Sequence, residues 1–252
     1  MRYIERIAMA LSAVLCALLA GCAATGGFGT VHDPAAFGKG KTYAVVSVMA
    51  YEKVQCSDAG GNPCNGGVIG LVKTMTDAKA FSEDAGEALE MTYAAALQGL
   101  RASPNIRLAP DVRNSRAYRA LAEDAQPAGM MSARHVVAKG YKYLTHEKLA
   151  GLAKELKVDG VITVTLSYSA KRSGVSIAGF GGGHKASTTM YLAAVDKNGK
   201  NVWVDYATGD SDGTVGTVTA SPDFVKLRPL FRDATTKATR KLIDSFDAKT
   251  KL

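Results

Sequence analysis

The sequence has few of the short motifs that identify metalloenzymes and hydrolases. It has no His-Glu-x-x-His pattern, and we expect no Gly-x-Ser-x-Gly nucleophile elbow. The four histidines are scattered along the chain: His32, His135, His146 and His184. Aspartates in the stretch from Asp205 to Asp212 lack the spacing of a calcium loop. We therefore expect no metal, no cofactor, no small-molecule substrate and no enzymatic activity.

Aromatic residues are also scarce, at 7% of the chain, and Trp203 is the single tryptophan. Apolar residues make up 47% and charged residues 21%, which excludes a wholly disordered chain and suits a packed core. The formal net charge is +8, and the basic residues are dispersed apart from a group near the C-terminus. We expect these to be solvated on a helix face, with contact to anionic lipid as the alternative.

One glycine-rich segment comes close to a phosphate-binding loop but departs from its pattern. Ala178–Lys185 (AGFGGGHK) has several glycines before a lysine, yet His184 stands where the P-loop has its second glycine. The segment is also expected to join two strands instead of preceding a helix. We interpret it as a hairpin tip, at which Val175, Ile177 and Phe180 are candidates for contact with a protein partner or lipid.

The first residues have the parts of a secretory signal. Arg2 and Arg6 give a positive start, and Ile7–Ala20 is then almost wholly apolar, without a polar face. A helix of this length spans about 21 Å, short of the roughly 30 Å hydrocarbon core, so a permanent transmembrane anchor is disfavoured. The pattern predicts a removable signal peptide over residues 1–21.

The end of the apolar run, Leu19-Ala20-Gly21-Cys22, resembles a bacterial lipobox. The resemblance implies cleavage before Cys22, diacylglycerol on its sulfur, and a fatty acid such as palmitate on the new amino terminus. Two or more acyl chains anchor stably, at about 0.8 kcal/mol per buried CH₂. In enteric-type bacteria an Asp after the lipidated cysteine retains the protein in the inner membrane. Here that position is Ala23, so the resemblance implies the outer membrane, facing the periplasm.

Two cysteines remain once Cys16 has left with the signal and Cys22 is lipidated. Cys56 and Cys64 form an even pair in an oxidising compartment, and the turn-rich stretch between them can bring their sulfurs together. We predict a structural disulfide that contributes about 2–3 kcal/mol by closing a short loop. A redox pair would more often show Cys-x-x-Cys spacing, and a zinc site lacks other ligands nearby.

The mature chain is predicted to be a tether followed by one α/β domain. Residues 22–40 are rich in Gly and Ala and have no period, which favours a lipidated, flexible tether; an ordered edge strand is the alternative. Residues 41–252 are then expected to form a single periplasmic domain. Its predicted architecture is a mixed sheet of about four to five strands flanked by helices.

Five segments are predicted as strands from their Val, Ile, Thr and Tyr content: 42–51, 105–112, 161–168, 187–196 and 201–206. Between the last two, Lys197–Lys200 contains Asn-Gly, which favours a hairpin with a type I′ turn. Residues 208–220 are expected to be a loop. In the 187–196 strand, Met190, Leu192 and Ala194 alternate with Thr189, Tyr191 and Ala193, so one face is more apolar.

Three helices are predicted, and Ser115–Glu123 is a candidate for a further helical turn or two. The first begins at the N-cap Ser82 and ends before Pro104, with Leu89, Leu97 and Leu100 on one face. The second begins at Thr145 and ends at Asp159-Gly160, where Gly suits a left-handed C-cap. The third begins at Ser221-Pro222, is expected to kink or restart at Pro229, and carries a terminal apolar stripe. That stripe comprises Phe231, Ala234, Ala238, Leu242 and Phe246.

The run LAGLAKELKVDGVITVTLSY, followed by MYLAAVDKNGKNVW, resembles a known periplasmic arrangement. It is similar to the domain shared by the TolB amino-terminal region, the curli-secretion lipoprotein and the lipoprotein activators of penicillin-binding proteins. The matching residues are Leu152–Ile162 and Val195–Trp203. These two segments correspond to turns of the fold, so the resemblance implies no catalytic residue. The cysteine loop and the glycine-rich loop depart from the pattern.

These features predict a non-enzymatic outer-membrane lipoprotein whose periplasmic domain binds or regulates a partner in envelope assembly. One alternative, implied by the resemblance, is a subunit of a curli-type secretion or transport assembly. The other is an envelope hydrolase with a site that sequence motifs do not reveal. Nucleic acid is not expected as a partner outside the cytoplasm.

Overall fold

The computed structural model describes residues 30–38, 40–57, 78–126, 134–173, 182–216 and 223–250, with side chains from residue 85 in the segment that begins at 78. The predicted signal peptide and Cys22, the predicted site of lipidation, lie outside these ranges. So do Cys64 and the three apolar residues of the predicted hairpin tip, Val175, Ile177 and Phe180.

The described residues form nine strands and four α-helices. The strands are β1 (Val31–His32), β2 (Thr42–Tyr51), β3 (Gln55–Ser57), β4 (Arg107–Leu108), β5 (His135–Val137), β6 (Gly160–Ser173), β7 (Gly183–Asp196), β8 (Asn201–Asp210) and β9 (Val215–Gly216). The helices are α1 (Ala78–Ala102), α2 (Arg116–Ala120), α3 (His146–Glu155) and α4 (Phe224–Thr250), with a 3₁₀ turn at Val112–Asn114.

A long antiparallel hairpin of β6 and β7 is the centre of a mixed sheet. The two strands have 14 residues each and pair in register from Gly160 opposite Asp196 to Ser173 opposite Gly183. On one side β2 joins β6 in parallel, and on the other β8 joins β7 antiparallel. The short strands extend this frame: β4 and β5 pair with β2, β3 with β6, β1 with β8, and β9 with β7.

One face of the sheet, called here the inner face, carries the main core. Along β6, the alternate residues Ile162, Val164, Leu166 and Tyr168 are fully buried there, while the residues between them are partly exposed. The long helices α1 and α4 cover this face, and the predicted stripe from Phe231 to Phe246 on α4 is buried against it. The alternation of apolar and hydroxyl residues therefore decides which face the helices cover.

The opposite face, called here the outer face, is covered at one end. There α2, α3 and the 3₁₀ turn bury a second, smaller apolar cluster against the start of β2 and β6. Its buried members are Ala44, Val46, Val112, Tyr118, Leu144, Leu149, Leu152, Ala153, Val161 and Val195. Beyond this cluster, no helix of the described ranges packs on the outer face.

The helices of the inner layer approach the sheet and each other closely. A Cβ on Gly209 of β8 would collide with the backbone of Ala234 and Ala238 in α4. A Cβ on Gly99 of α1 would lie 2.6 Å from the Thr239 side chain of α4. Within this layer the hydroxyls of Thr92 and Tyr168 are 2.5 Å apart, so these two buried hydroxyls are paired with each other.

The mixed α/β architecture predicted from the sequence is confirmed, but the sheet is larger than four to five strands. Four of the five predicted strands are present at full length, whereas the one predicted over 105–112 is reduced to Arg107–Leu108 and Val112 begins the 3₁₀ turn. The four additional ones, β1, β3, β5 and β9, have only two or three residues each, too few to show an alternating pattern. The loop predicted from residue 208 is wrong at its start, because β8 continues to Asp210 and β9 follows at Val215.

The folded part also begins before Lys41. Val31 and His32 pair with Val204 and Trp203 of β8, as the alternative of an ordered edge strand anticipated. Phe37 is buried, and its ring lies 4.8 Å from that of Trp203. Residues 31–38 thus belong to the domain and complete its core beside α4.

Three details of the predicted helices differ. Helix α1 begins at Ala78 instead of Ser82, and α4 runs through Pro229 without restarting. Helix α3 ends at Glu155, and the left-handed residue after it is Lys157, with φ 55°, while Gly160 already belongs to β6.

Among the described residues, no helix is both long enough and apolar enough to cross a bilayer.

The turn between β7 and β8 is not of type I′. Gly199 has φ 86°, but Asn198 has no positive φ, whereas type I′ requires positive values at both central residues. The Asp196 carboxylate instead accepts hydrogen bonds from the backbone N–H of Asn198 at 2.8 Å and of Lys200 at 2.9 Å. An aspartate side chain that accepts hydrogen bonds from the backbone of its own turn can determine the turn geometry. Here it overrides the preference of the Asn-Gly pair for type I′.

The close approach of α4 to β8 predicts that Gly209→Ala destabilises the protein by about 1–3 kcal/mol, as overpacking does in a dense core. Gly151→Ala is the matched control. Gly151 lies on the exposed side of α3 with open space around its Cβ position, so this change is expected to stabilise by about 0.5–1 kcal/mol. Urea denaturation measures both; a Gly209→Ala protein as stable as the parent would contradict the packing.

Candidate functional site

Five aromatic side chains form a continuous row across the outer face. In order they are Tyr143, His135, Tyr51, Tyr191 and Tyr206, and this set is called here the aromatic row. Successive ring centroids are 5.8, 4.9, 6.4 and 5.8 Å apart. The Tyr206 side chain is 51% exposed and the other four are partly exposed. A row of partly exposed rings is typical of a binding surface, since rings offer large contact area at low entropic cost.

The sheet register brings these rings together. Tyr51 is directly opposite His135 in the pairing of β2 with β5, and Tyr191 is directly opposite Tyr206 in the pairing of β7 with β8. Strand β6 separates β2 from β7, but its outer residue opposite Tyr191 is the small Thr165. The rings of Tyr51 and Tyr191 therefore meet at 6.4 Å across β6.

Hydroxyl side chains surround the aromatic row. The partly or fully exposed ones on β6, β7 and β8 are Thr163, Thr165, Ser167, Ser169, Thr189 and Thr208. The hydroxyls of Thr189 and Thr208 lie 2.9 Å apart across the two strands. Threonine favours strands and is polar, so these residues form a regular sheet whose outer face stays solvated.

One end of this face carries two lysines. Lys171 of β6 is directly opposite Lys185 of β7. The carboxylate of Asp210 lies 3.3 Å from Lys171 and forms an ion pair with it. Within the described part of the chain, no carboxylate pairs with Lys185. Two lysines and one carboxylate give this end of the face a net positive charge among the described residues, and like charges directly opposite each other are destabilising.

The aromatic row itself is uncharged at neutral pH. Burial lowers the pKa of His135 below its ordinary 6.5, so its imidazole is neutral. Burial likewise raises the pKa of Tyr51 and of Tyr191 above the ordinary tyrosine value. The face therefore combines neutral rings and hydroxyls with a cationic end.

The sequence predicted one part of this site. The alternation that placed Thr189, Tyr191 and Ala193 on the less apolar face is confirmed, because Met190, Leu192 and Ala194 are buried in the core. Tyr51, His135 and Tyr206 were missed as partners of Tyr191. Their only sequence signal is an aromatic residue at the outward position of a strand, and the register that joins them is a property of the whole sheet.

The residues singled out from the sequence lie apart from this row. Cys56 is in β3 and is disulfide-bonded, but its partner cysteine lies outside the described residues. The pairing of Cys56 with Cys64 and the lipidation of Cys22 therefore stay predictions. The same holds for partner or lipid contact by Val175, Ile177 and Phe180.

The acidic residues near the end of β8 do not assemble into a cation site. Asp205 pairs with Lys249 at 2.8 Å, Asp210 with Lys171, and Asp212 with Lys237 at 2.7 Å. In the parts of the chain that the structure describes, no three His, Cys, Asp or Glu side chains are placed to hold a metal. These ion pairs also neutralise part of the basic C-terminal helix face.

The stretch Gly209–Gly213 (GDSDG) does match the letters of a Gly-x-Ser-x-Gly motif, contrary to the expectation above. The motif requires a serine exposed on a strand-to-helix turn. Ser211 is instead buried; its hydroxyl accepts from the Ala186 N–H at 3.1 Å and donates to the Gly213 carbonyl at 2.8 Å. The short strand β9, not a helix, follows it. The matching letters therefore mark a strand end.

Comparisons with known proteins identify no family for this chain. No family model matches it, and no curated protein matches it. A solved structure, the hypothetical protein CT253 from Chlamydia trachomatis, shares 9% identity with a TM-score of 0.31, covering 83% of this chain and 94% of that chain.

Three histidines have a pKa lowered by burial: His32, His135 and His184. His184 is the most enclosed, with no exposed surface and no hydrogen-bond partner for either ring nitrogen among the described residues. A nearby guanidinium, that of Arg172, lowers its pKa further. Protonation of such a ring places an uncompensated charge in the core.

The lowered values predict loss of stability in acid. A histidine whose pKa in the folded protein lies below 6.5 is neutral in both states above pH 6.5, so the free energy of unfolding has its full value there. As the pH falls below 6.5, the unfolded state binds the proton more readily and the free energy of unfolding decreases. We expect the free energy of unfolding to fall between pH 6.5 and 5, and His184→Leu to make that fall shallower. Urea titrations at several pH values measure both slopes. An unchanged slope in the His184→Leu protein would show that His184 does not charge on unfolding.

Proposed function

We propose that this chain is an outer-membrane lipoprotein, anchored through Cys22, whose periplasmic domain is a non-enzymatic binding module in cell-envelope assembly. The anchoring half of the proposal is supported by the sequence alone, through the lipobox-like Leu19–Cys22 behind its apolar run. The binding half is supported by the outer face of the sheet.

The observation that carries the binding role is the aromatic row on a face that α1 and α4 leave open. Its rings pack against each other on paired strands, so they are already ordered in the free protein. Binding a ligand therefore costs little side-chain conformational entropy. Tyr206, at 51% exposed, presents the largest accessible ring of the row.

The hydroxyl of Ser211 and the scattered acidic residues give no support to the hydrolase alternative. Ser211 is buried and bonded to two backbone groups, and the carboxylates of Asp205, Asp210 and Asp212 are each paired with a different lysine. A nucleophile needs a base within hydrogen-bond reach and access to substrate. Ser211 has neither among the described residues.

Anchoring through Cys22 predicts that Cys22→Ala abolishes incorporation of labelled fatty acid, because the acceptor sulfur is gone. Cys16→Ala is the matched control: it removes the other cysteine of the leader, and the protein should still be labelled and remain in the membrane fraction. Labelled palmitate followed by gel analysis of membrane and soluble fractions scores both variants. Label that persists in the Cys22→Ala protein would overturn the anchor.

A further inference from the structure

We propose that the outer face binds an acidic glycan strand, with sugar rings against Tyr191 and Tyr206 and carboxylates at Lys171 and Lys185. This inference rests on the proposed function, which it deepens by naming the class of ligand. It depends on three features of the face that occur together: neutral aromatic rings, a field of hydroxyls, and an excess of positive charge at one end.

The aromatic row suits sugars because a pyranose ring has an apolar C–H face and polar edges. Tyr191 and Tyr206 stand side by side, with centroids 5.8 Å apart and an angle of 31° between their planes. Tyrosine combines an apolar ring with a hydroxyl, so one side chain packs on the sugar face and hydrogen-bonds its edge. The adjoining pair of Thr189 and Thr208 adds donors and acceptors beside these rings.

The extent of the face selects a polymer. Lys185 lies six positions before Tyr191 on β7, which corresponds to about 20 Å along a strand. On β6 the outer positions between Thr165 and Lys171 are Ser167 and Ser169, so hydroxyls line the track between the rings and the lysines. An occupant that touches both ends is therefore an extended chain with hydroxyls along its length.

Charge complementarity selects an acidic strand. Lys171 and Lys185 face each other across the hairpin, and the one carboxylate that the described residues place beside them, that of Asp210, pairs with Lys171. A carboxylate on the glycan relieves the repulsion between the lysines and supplies the partner that Lys185 lacks among the described residues. Duplex nucleic acid is disfavoured, since it requires many phosphate contacts and this face offers two lysines. A bilayer surface is disfavoured because the face presents hydroxyls instead of an apolar wedge.

The test uses the purified full-length lipoprotein in detergent micelles and peptidoglycan sacculi stripped of lipid and protein, with binding scored by co-sedimentation. Insoluble chitin, a neutral glycan, is the second probe. We expect Tyr191→Ala with Tyr206→Ala to weaken binding to both probes about tenfold, equivalent to about 1.4 kcal/mol. We expect Lys185→Gln to weaken binding to sacculi only and to reduce its dependence on salt.

Val225→Ala is the matched control, because Val225 is 66% exposed on α4, in the layer that covers the inner face. It should leave sedimentation unchanged. Tyr206→Ala alone is the variant least able to disturb folding, and far-ultraviolet circular dichroism with a urea midpoint checks that each variant folds. Absence of sedimentation with sacculi would overturn the proposal. Equal binding by the tyrosine variants, or binding to phosphatidylglycerol vesicles that these substitutions abolish, would also overturn it.

Fatty-acid labelling at Cys22 is scored separately and is not altered by substitutions on the outer face. A failure of glycan binding with labelling intact would leave the anchored binding module in place and remove only the ligand class. A failure of labelling with glycan binding intact would remove the lipid anchor and leave the ligand class in place.

Discussion

The packing of α1 and α4 against a single face of the β6–β7 hairpin is the constraint on which the rest of the structure depends. Every second residue of these strands is committed to that interface, and Gly209 allows α4 to lie directly on the backbone of β8. At the edge of the sheet the interface closes on an aromatic cluster, where Trp203 lies 4.7 Å from Phe246 and 4.8 Å from Phe37. Burial of these rings supplies a large share of the hydrophobic stabilisation.

The same constraint produces the candidate binding surface. Because side chains alternate along a strand, commitment of one set to the helices sends the other set to the outer face. The outer residues in the middle of β6 are Thr163, Thr165, Ser167 and Ser169, which favour a strand without requiring burial. Helix α3 and the segment before it cover only the start of the hairpin, so the tyrosines farther along remain partly exposed. Stability and binding are therefore assigned to opposite faces of one sheet.

The parts of the fold that could be predicted from sequence are those with long local periodicity. Strand β7 and helix α4 have apolar residues at strict strand or helix spacing, and both were predicted with their buried faces correct. Strand β5 could not be predicted, and β1 was anticipated only through the alternative of an ordered edge strand, because two or three residues acquire strand geometry only from the neighbour with which they pair. The hairpin at Lys197–Lys200 was predicted correctly, but its turn type was predicted wrongly because the carboxylate of Asp196 determines its hydrogen bonds.

The candidate site was only partly predictable for a related reason. Tyr191 was predicted on the less apolar face of its own strand, but the row requires Tyr51, His135 and Tyr206 from three other strands. Their proximity depends on the parallel register of β2 with β6 and on the small side chains between them. Register across a sheet is a non-local property, so a motif search along the chain does not detect the row.

Chemical nitration of tyrosines, mapped by mass spectrometry on the full-length protein, tests the division of the sheet into a buried and an open face most directly. The structure predicts that Tyr206 reacts readily, and that Tyr43, Tyr118 and Tyr168, which have at most 1% of their surface exposed, are protected until the protein unfolds. Protection of Tyr206 in the free, folded protein, or ready nitration of Tyr168, would contradict the assignment of the two faces.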